Sequence, residues 1–360
     1  IMNLNYNKVK YLFYPLTKET IFFAEYFFKV QARAENEVTF IAPKGAALAE
    51  KNFYYAFNQE SPLDIIILDT NYLQSQLLAC DVLFIPPLDS KIDSLLYSSI
   101  ESVIEFATQN QKAVIHSSQN NYNIVQDSFF EITNNKIPFQ KCLNNFTVPI
   151  IGIGGLFDFC HTLNEKTFFD IIYTLRSQNF RVTAFGLNPA DISLGIHPLP
   201  FDEARLKFNN CVDEIYFLNN FVYQYAHIEK ADFVIIQFPS GLLKYSNRHV
   251  NEFGINAYKL SNALPINYFI CTTALNYAHP SFISEINTIF RYRYDFEVSA
   301  VCITNLLYQG YNLDEKAPSI LQIAPSQMQS TINEYPASND FFIYNLFDEN
   351  SISKLLNLIL

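Results

Sequence analysis

Short apolar runs alternate with longer stretches of helical periodicity along almost the whole chain. Val9–Tyr14 is a β-prone run that stops at Pro15. Thr17 reads as an N-cap, and Thr20, Ile21, Phe22, Tyr26 and Val30 supply a helical face after it. Glu37–Ala42 predicts a second strand closed by Pro43-Lys44-Gly45, and Leu63–Leu68 a third between Pro62 and Asp69. Tyr72–Leu78 reads as helix, and Asp81–Ile85 as a buried strand cut off by Pro86-Pro87. Ile92–Ala107 is a longer amphipathic helix, and Lys112–His116 closes the set. Apolar strands alternating with helices predict a parallel sheet covered on both faces.

A polar stretch rich in Asn and Gln, 117–147, leads away from this unit, and the pattern restarts at Val148-Pro149. Ile150–Ile153 predicts a strand, Gly154–Phe159 a turn, and Leu163–Ser177 a helix with Phe168, Ile171, Ile172 and Leu175 on one side. Further strands are expected at Phe180–Phe185, Ala231–Phe238, Asn267–Thr273 and Glu297–Thr304, with Phe201–Ala226 and Ser281–Tyr292 helical. The tail docks a last strand, Phe341–Leu346, and a helix, Ser351–Leu358. The fold class is α/β, with two Rossmann-like parallel-sheet units in tandem, the second with a degenerate P-loop-like turn. Expected divisions are an N-terminal domain over 1–120, a linker over 121–147, a second domain over 148–310 and an extension over 311–360. A length of 360 residues suits two domains of roughly 150 each.

Composition narrows the function classes more than it names one. Hydrophobic residues make up 49% and charged residues 16%, which gives ample core and argues against disorder. The net charge of −11, with no basic cluster to offset it, argues against a nucleic-acid partner. The 34 Phe and 23 Tyr read as core filler and amphipathic surface rather than as a stacking platform. No apolar run approaches the roughly 20 residues of a membrane helix, and the start carries no basic stretch leading into an apolar one. The cysteines, 80, 142, 160, 211, 271 and 302, form no C-x-x-C pair, and the histidines show no metal-binding spacing. Reduced, mostly buried thiols in a cytoplasmic protein are the expectation, with no metal site.

Candidate chemistry gathers at the carboxyl ends of strands, where open α/β sheets hold ligands. Three of the nine glycines fall within Gly152-Ile153-Gly154-Gly155, between a strand and a helix, and Leu156-Phe157-Asp158-Phe159-Cys160-His161-Thr162 follows. Small residues there would let backbone N–H groups approach an anion at the helix start. The segment lacks the G-x-x-x-x-G-K-[ST] of a Walker loop. It also lacks the third glycine of G-x-G-x-x-G, whose place Phe157 takes. A second candidate is the strand ending in Gln237-Phe238-Pro239-Ser240-Gly241, which resembles the metal-side strand of nucleotide-binding folds with a glutamine in place of a carboxylate. Gly152, Gly154, Gly155, Asp158, Thr162, Gln237, Ser240 and Gly241 are thus the candidate cofactor-binding set, with a nucleotide as the candidate ligand. Cys160, at a helix start beside His161, is the candidate reactive thiol, because both neighbours lower a thiol pKa.

Three segments carry a family resemblance. They are Tyr14-Pro15 with Ile41-Ala42-Pro43-Lys44-Gly45, then Pro149–Leu156 with Cys160 after it, and Ala231–Ile236 through Pro239-Ser240-Gly241, with Phe253-Gly254-Ile255 and Ala257-Tyr258. On these the chain resembles the peptide maturation system proteins of clostridial type, encoded beside short Cys-rich precursor peptides and a radical SAM enzyme. The resemblance runs over most of 9–305. It departs at Phe157 and Thr162, where a further Gly and a Lys are expected. It implies a biosynthetic context, the maturation of a ribosomally made natural product (a RiPP), and the preferred expectation is a cytoplasmic accessory protein that holds the precursor peptide or the modifying enzyme in the cleft between two Rossmann-like units. A nucleotide-dependent ligase or transferase, with Gln237 or Asp158 near a metal, is the alternative, and a Cys160 thiol carrier a third. A homodimer is compatible with the sequence.

Overall fold

The computed structural model describes residues 8–57, 63, 65–87, 94–116, 140–246, 253–312, 317–335 and 341–359. Contacts divide the chain into two compact units, Ile1–Ser128 and Phe129–Leu360. Most of the expected linker, 121–139, lies outside the described residues.

The first unit is a four-stranded parallel sheet in the order β2-β1-β3-β4. Its strands are β1 (Lys10–Phe13), β2 (Glu37–Phe40), β3 (Val82–Ile85) and β4 (Ala113–His116). Helices α1 (Ile21–Arg33), α2 (Leu73–Ala79) and α3 (Ser94–Gln109) connect them. Aromatic rings fill its core. Phe13 and Phe84 stack at 5.4 Å, and Phe27 lies 4.5 Å from Phe84. The many Phe residues therefore serve burial here.

Two expectations change in this unit. Thr20 rather than Thr17 caps α1, because the Thr17 amide donates to Thr20 Oγ1 and folds the preceding turn inward. Leu63–Leu68 does not form a strand among the described residues. Leu68 makes a single bridge to Ile41, while the Ile67 amide and carbonyl bond to Lys51 and Glu50 in a loop.

The second unit is a seven-stranded parallel sheet in the order β13-β10-β9-β5-β8-β6-β7. Its strands are β5 (Ile150–Gly155), β6 (Val182–Gly186), β7 (His197–Pro198), β8 (Phe233–Gln237), β9 (Tyr268–Ala274), β10 (Val298–Thr304) and β13 (Phe342–Asn345). Strands β5 and β8 are buried along their whole length, as continuous apolar runs flanked by helices should be. The helices are α4 (His161–Ser177), α5 (Phe201–Lys207), α6 (Cys211–Ile228), α7 (Ile255–Ala263), α8 (Pro280–Tyr294), α9 (Pro325–Glu334) and α10 (Glu349–Ile359). An antiparallel hairpin of β11 (Leu306–Asn312) and β12 (Ala317–Gln322) forms a separate two-stranded sheet. The segment read as an extension supplies β13, an edge of the main sheet paired with β10. Both units are α/β with parallel sheets, and among the described residues no helix is long and apolar enough to cross a membrane.

Candidate functional site

The strand expected to end at Ile153 runs on to Gly155, so two of the glycines read as turn are strand. Their role is close packing. A Cβ on Gly152 would lie 2.9 Å from the Phe269 ring and 3.0 Å from Phe238, and one on Gly154 would meet the same two residues at the same distances. The glycines of β5 thus seat two rings carried by β9 and by the segment after β8. A Cβ on Gly155 would lie 2.8 Å from Ser240 Oγ and 3.2 Å from Cys160 Cβ. That proximity brings Gly155, Cys160 and Ser240 together at one strand end.

Main-chain groups that could cradle a phosphate are committed inside the chain. The Leu156 amide donates to Thr272 O at 3.0 Å and the Cys160 amide to Phe157 O at 3.1 Å. The Gly155 carbonyl accepts from Gly241 N at 3.1 Å, in a turn where Gly241 adopts φ +87°. That left-handed conformation favours glycine.

Phe157, which replaces the third glycine of a dinucleotide fingerprint, caps the strand ends. It is 2% exposed. Its ring stacks on Phe159 at 5.3 Å, Tyr308 at 5.4 Å and Tyr245 at 6.1 Å, and meets Tyr277 edge-on at 4.9 Å. Tyr308 comes from the hairpin that sequence reasoning missed, so a distant insertion closes this crevice. Asp158 and Thr162 are half-buried at the start of α4, where no lysine stands.

Cys160 is fully buried. Burial pushes its thiol far above the ordinary value, and Cys271 and Cys302 are raised the same way. The expected activation by a helix start and His161 is outweighed by desolvation, because Gly155 lets the helix sit directly on the strand end. The exposed thiols are Cys142 and Cys211.

Gln237 ends β8, 2% exposed, with its Oε1 accepting from Leu187 N at 3.0 Å. It therefore ties the ends of β8 and β6 together. Its Nε2 and the Ser240 Oγ have no hydrogen-bond partner among the described residues.

Near the end of β6 lie two carboxyls that the sequence reading did not single out. Asp191 sits against Gly186, so close that a Cβ there would overlap its Oδ2. The same oxygen accepts from Asn188 N at 3.2 Å, in a reciprocal capping box with the Asn188 side chain. Glu165 stands one turn after His161 on α4, with Oε1 3.9 Å from the imidazole. Burial raises the Glu165 carboxyl to about 8. Asp191 is raised by burial first and by the Glu165 charge second. The Asn188-Pro189-x-Asp191 spacing after a strand-end glycine was the available signal for half of this pair.

The second unit is an α/β arrangement in which the strand, turn and helix from β5 to α4 have their Leu156 and Cys160 amides bonded within the chain. No family model matches the chain, and no curated protein matches it. Among solved structures it is similar to the signal recognition particle receptor FtsY of Elizabethkingia anophelis in complex with GDP. That likeness has 10% identity and a TM-score of 0.27, over 69% of this chain and 88% of that one. A likeness of that size says nothing of what this chain binds.

Proposed function

We propose that the protein is an accessory protein in the maturation of a ribosomally synthesised peptide, and binds the precursor peptide or its modifying enzyme. The observation that carries this reading is the closed strand end of the second unit. Phe157 is buried at the end of β5, stacked on Phe159 and Tyr308, and no lysine stands at the head of α4. The resemblance in the Gly152–Leu156 and Ala231–Gly241 segments supplies the biosynthetic context.

The β11–β12 hairpin offers the kind of surface an extended peptide uses. It pairs with no other strand among the described residues, and it exposes Ile320 and Leu321. Strand addition takes affinity from main-chain hydrogen bonds and selectivity from alternate side chains. Fluorescence polarisation with a labelled precursor peptide from the same gene neighbourhood tests the reading. Binding in the range of about 10 µM or tighter, weakened at least tenfold by Leu321→Lys, is expected. Absence of binding by both the precursor and the neighbouring radical SAM enzyme overturns the reading.

A further inference from the structure

The first unit carries an open site of a different kind. Its chain runs from β1 through α1 to β2 on one side, then through α2 to β3 on the other side of β1. Strand order therefore reverses between β1 and β3, and the crevice outside the carboxyl ends at such a reversal is where open α/β sheets hold ligands. A cleft of about 730 Å³ lies at these ends. Tyr14, Thr17 and Lys18 reach it from the segment after β1, and Lys44 from the turn after β2. Leu73 at the head of α2 and Leu96 and Ser99 on α3 complete the wall. The volume is within the usual range of small-molecule sites, roughly 300–1,000 Å³.

The chemistry of the lining is divided. Tyr14 is buried, with its hydroxyl held by Ser99 Oγ at 3.2 Å, and backs the cleft, while the half-buried Leu73 and Leu96 supply its apolar portion. The charged portion holds Lys18 and Lys44 against one carboxylate, Glu19. Neither lysine forms an ion pair among the described residues, and Lys18 is set over the Phe57 ring at 5.1 Å. In a chain of net charge −11, two lysines placed at one strand-end cleft are a local reversal of sign. The adjoining start of α1 has no acidic residue in its first turn, and the Thr20 side chain makes no capping bond to the helix. Helix amides and lysines together favour an anion.

We propose that this cleft binds a phosphorylated small molecule of mononucleotide size, with the phosphate at Lys18 and Lys44 and the ring or apolar body against Leu73 and Leu96. The assignment is independent of the peptide-binding reading, since it concerns the first unit. Calorimetric titration at low salt with ADP, FMN and inorganic pyrophosphate, against adenosine and riboflavin, tests it. At least one phosphorylated probe should bind below about 1 mM, at least tenfold more tightly than its uncharged counterpart. Lys18→Ala/Lys44→Ala should weaken that binding at least tenfold while leaving the unliganded melting temperature unchanged, because both side chains are exposed. Leu73→Trp, which fills the apolar portion, should weaken it as well. Failure of all three phosphorylated probes to bind overturns the proposal, as does binding that survives the double lysine variant unchanged.

Discussion

The two units place the same architecture, parallel strands with crossover helices, at two opposite outcomes. In the first, the carboxyl ends of β1 and β2 open into a cleft of about 730 Å³ lined by Lys18 and Lys44, neither of which forms an ion pair among the described residues. In the second, the ends of β5, β8 and β9 are sealed by Phe157, its ring neighbours and a turn held on Gly155. The sheet determines where a site can be, and the loops decide whether it exists. Glycine content is a poor guide to that decision here. Three glycines mark the sealed end, where Gly152 and Gly154 make room for rings and Gly155 for Ser240 and Cys160, while the open end has only Gly45 beside Lys44. Fold by itself does not dictate function, and within this one chain it does not dictate even the presence of a crevice.

The largest effect should come from forcing the sealed end apart. Gly154→Val adds branched carbon where a Cβ is already 2.9 Å from Phe269 and 3.0 Å from Phe238. Both neighbours are buried rings, so the strand must shift. Urea unfolding should show a loss of about 3–4 kcal/mol, or a melting temperature lower by roughly 10 °C. A change under 1 kcal/mol would mean that these glycines are not there for packing, and the comparison would lose its basis.

Phe157→Ala removes the cap without touching the strand. The expected loss is about 3 kcal/mol, with a cavity left over the strand ends. Native alkylation followed by mass spectrometry gives a second readout. In the unaltered protein Cys142 and Cys211 should react while Cys80, Cys160, Cys271 and Cys302 stay protected. In the variant Cys160, which is next to the vacated space, should become reactive before Cys271 and Cys302. Equal rates at Cys160 in both proteins would show that the ring stack does not close the site.

How much of this was legible in the sequence depends on how local the cause is. Strands β5 and β8 were readable because their apolar runs end at Gly or Pro, and both signals lie within a few residues. The capping residue of α1 was misplaced by one turn, since Thr17 and Thr20 are both good caps and only the fold sets which one bends inward. The glycine cluster was visible but its reason was not, because Phe269 comes from another strand far along the chain. Cys160 was correctly placed at a helix start. Its burial depends on Gly155 and on the strands carrying Cys271 and Cys302, none of which a local motif encodes. The β11–β12 hairpin was hidden by Gly310 and Pro318, which read as loop residues but are tolerated in a two-stranded sheet without interior strands. Lys44 was seen at a strand end, yet Leu73 and Ser99 reach the same cleft only through the crossovers.

The contrast extends to charge. The open cleft keeps its lysines in water, whereas the sealed end holds carboxyls in a place where ionisation is costly. Glu165, with a side chain 13% exposed, has its carboxyl raised from an ordinary 4.5 to about 8 by burial. Below about pH 4.5 it is protonated in both folded and unfolded chains and has no effect on stability. Between about 4.5 and 8 the unfolded chain releases the proton and the folded chain keeps it, so stability falls as pH rises. Asp191 works in the same direction, by burial and by the Glu165 charge. Glu165→Gln should therefore flatten the decline, and at pH 8 it should be more stable than the unaltered protein by about 2 kcal/mol, after allowance for partial solvation. Part of the slope should remain with Asp191, less steep once its neighbour is neutral. Chemical denaturation at pH 5, 6.5 and 8 separates the cases. Parallel curves for the two proteins would mean that Glu165 ionises freely, and that the sealed end is as wet as the open one.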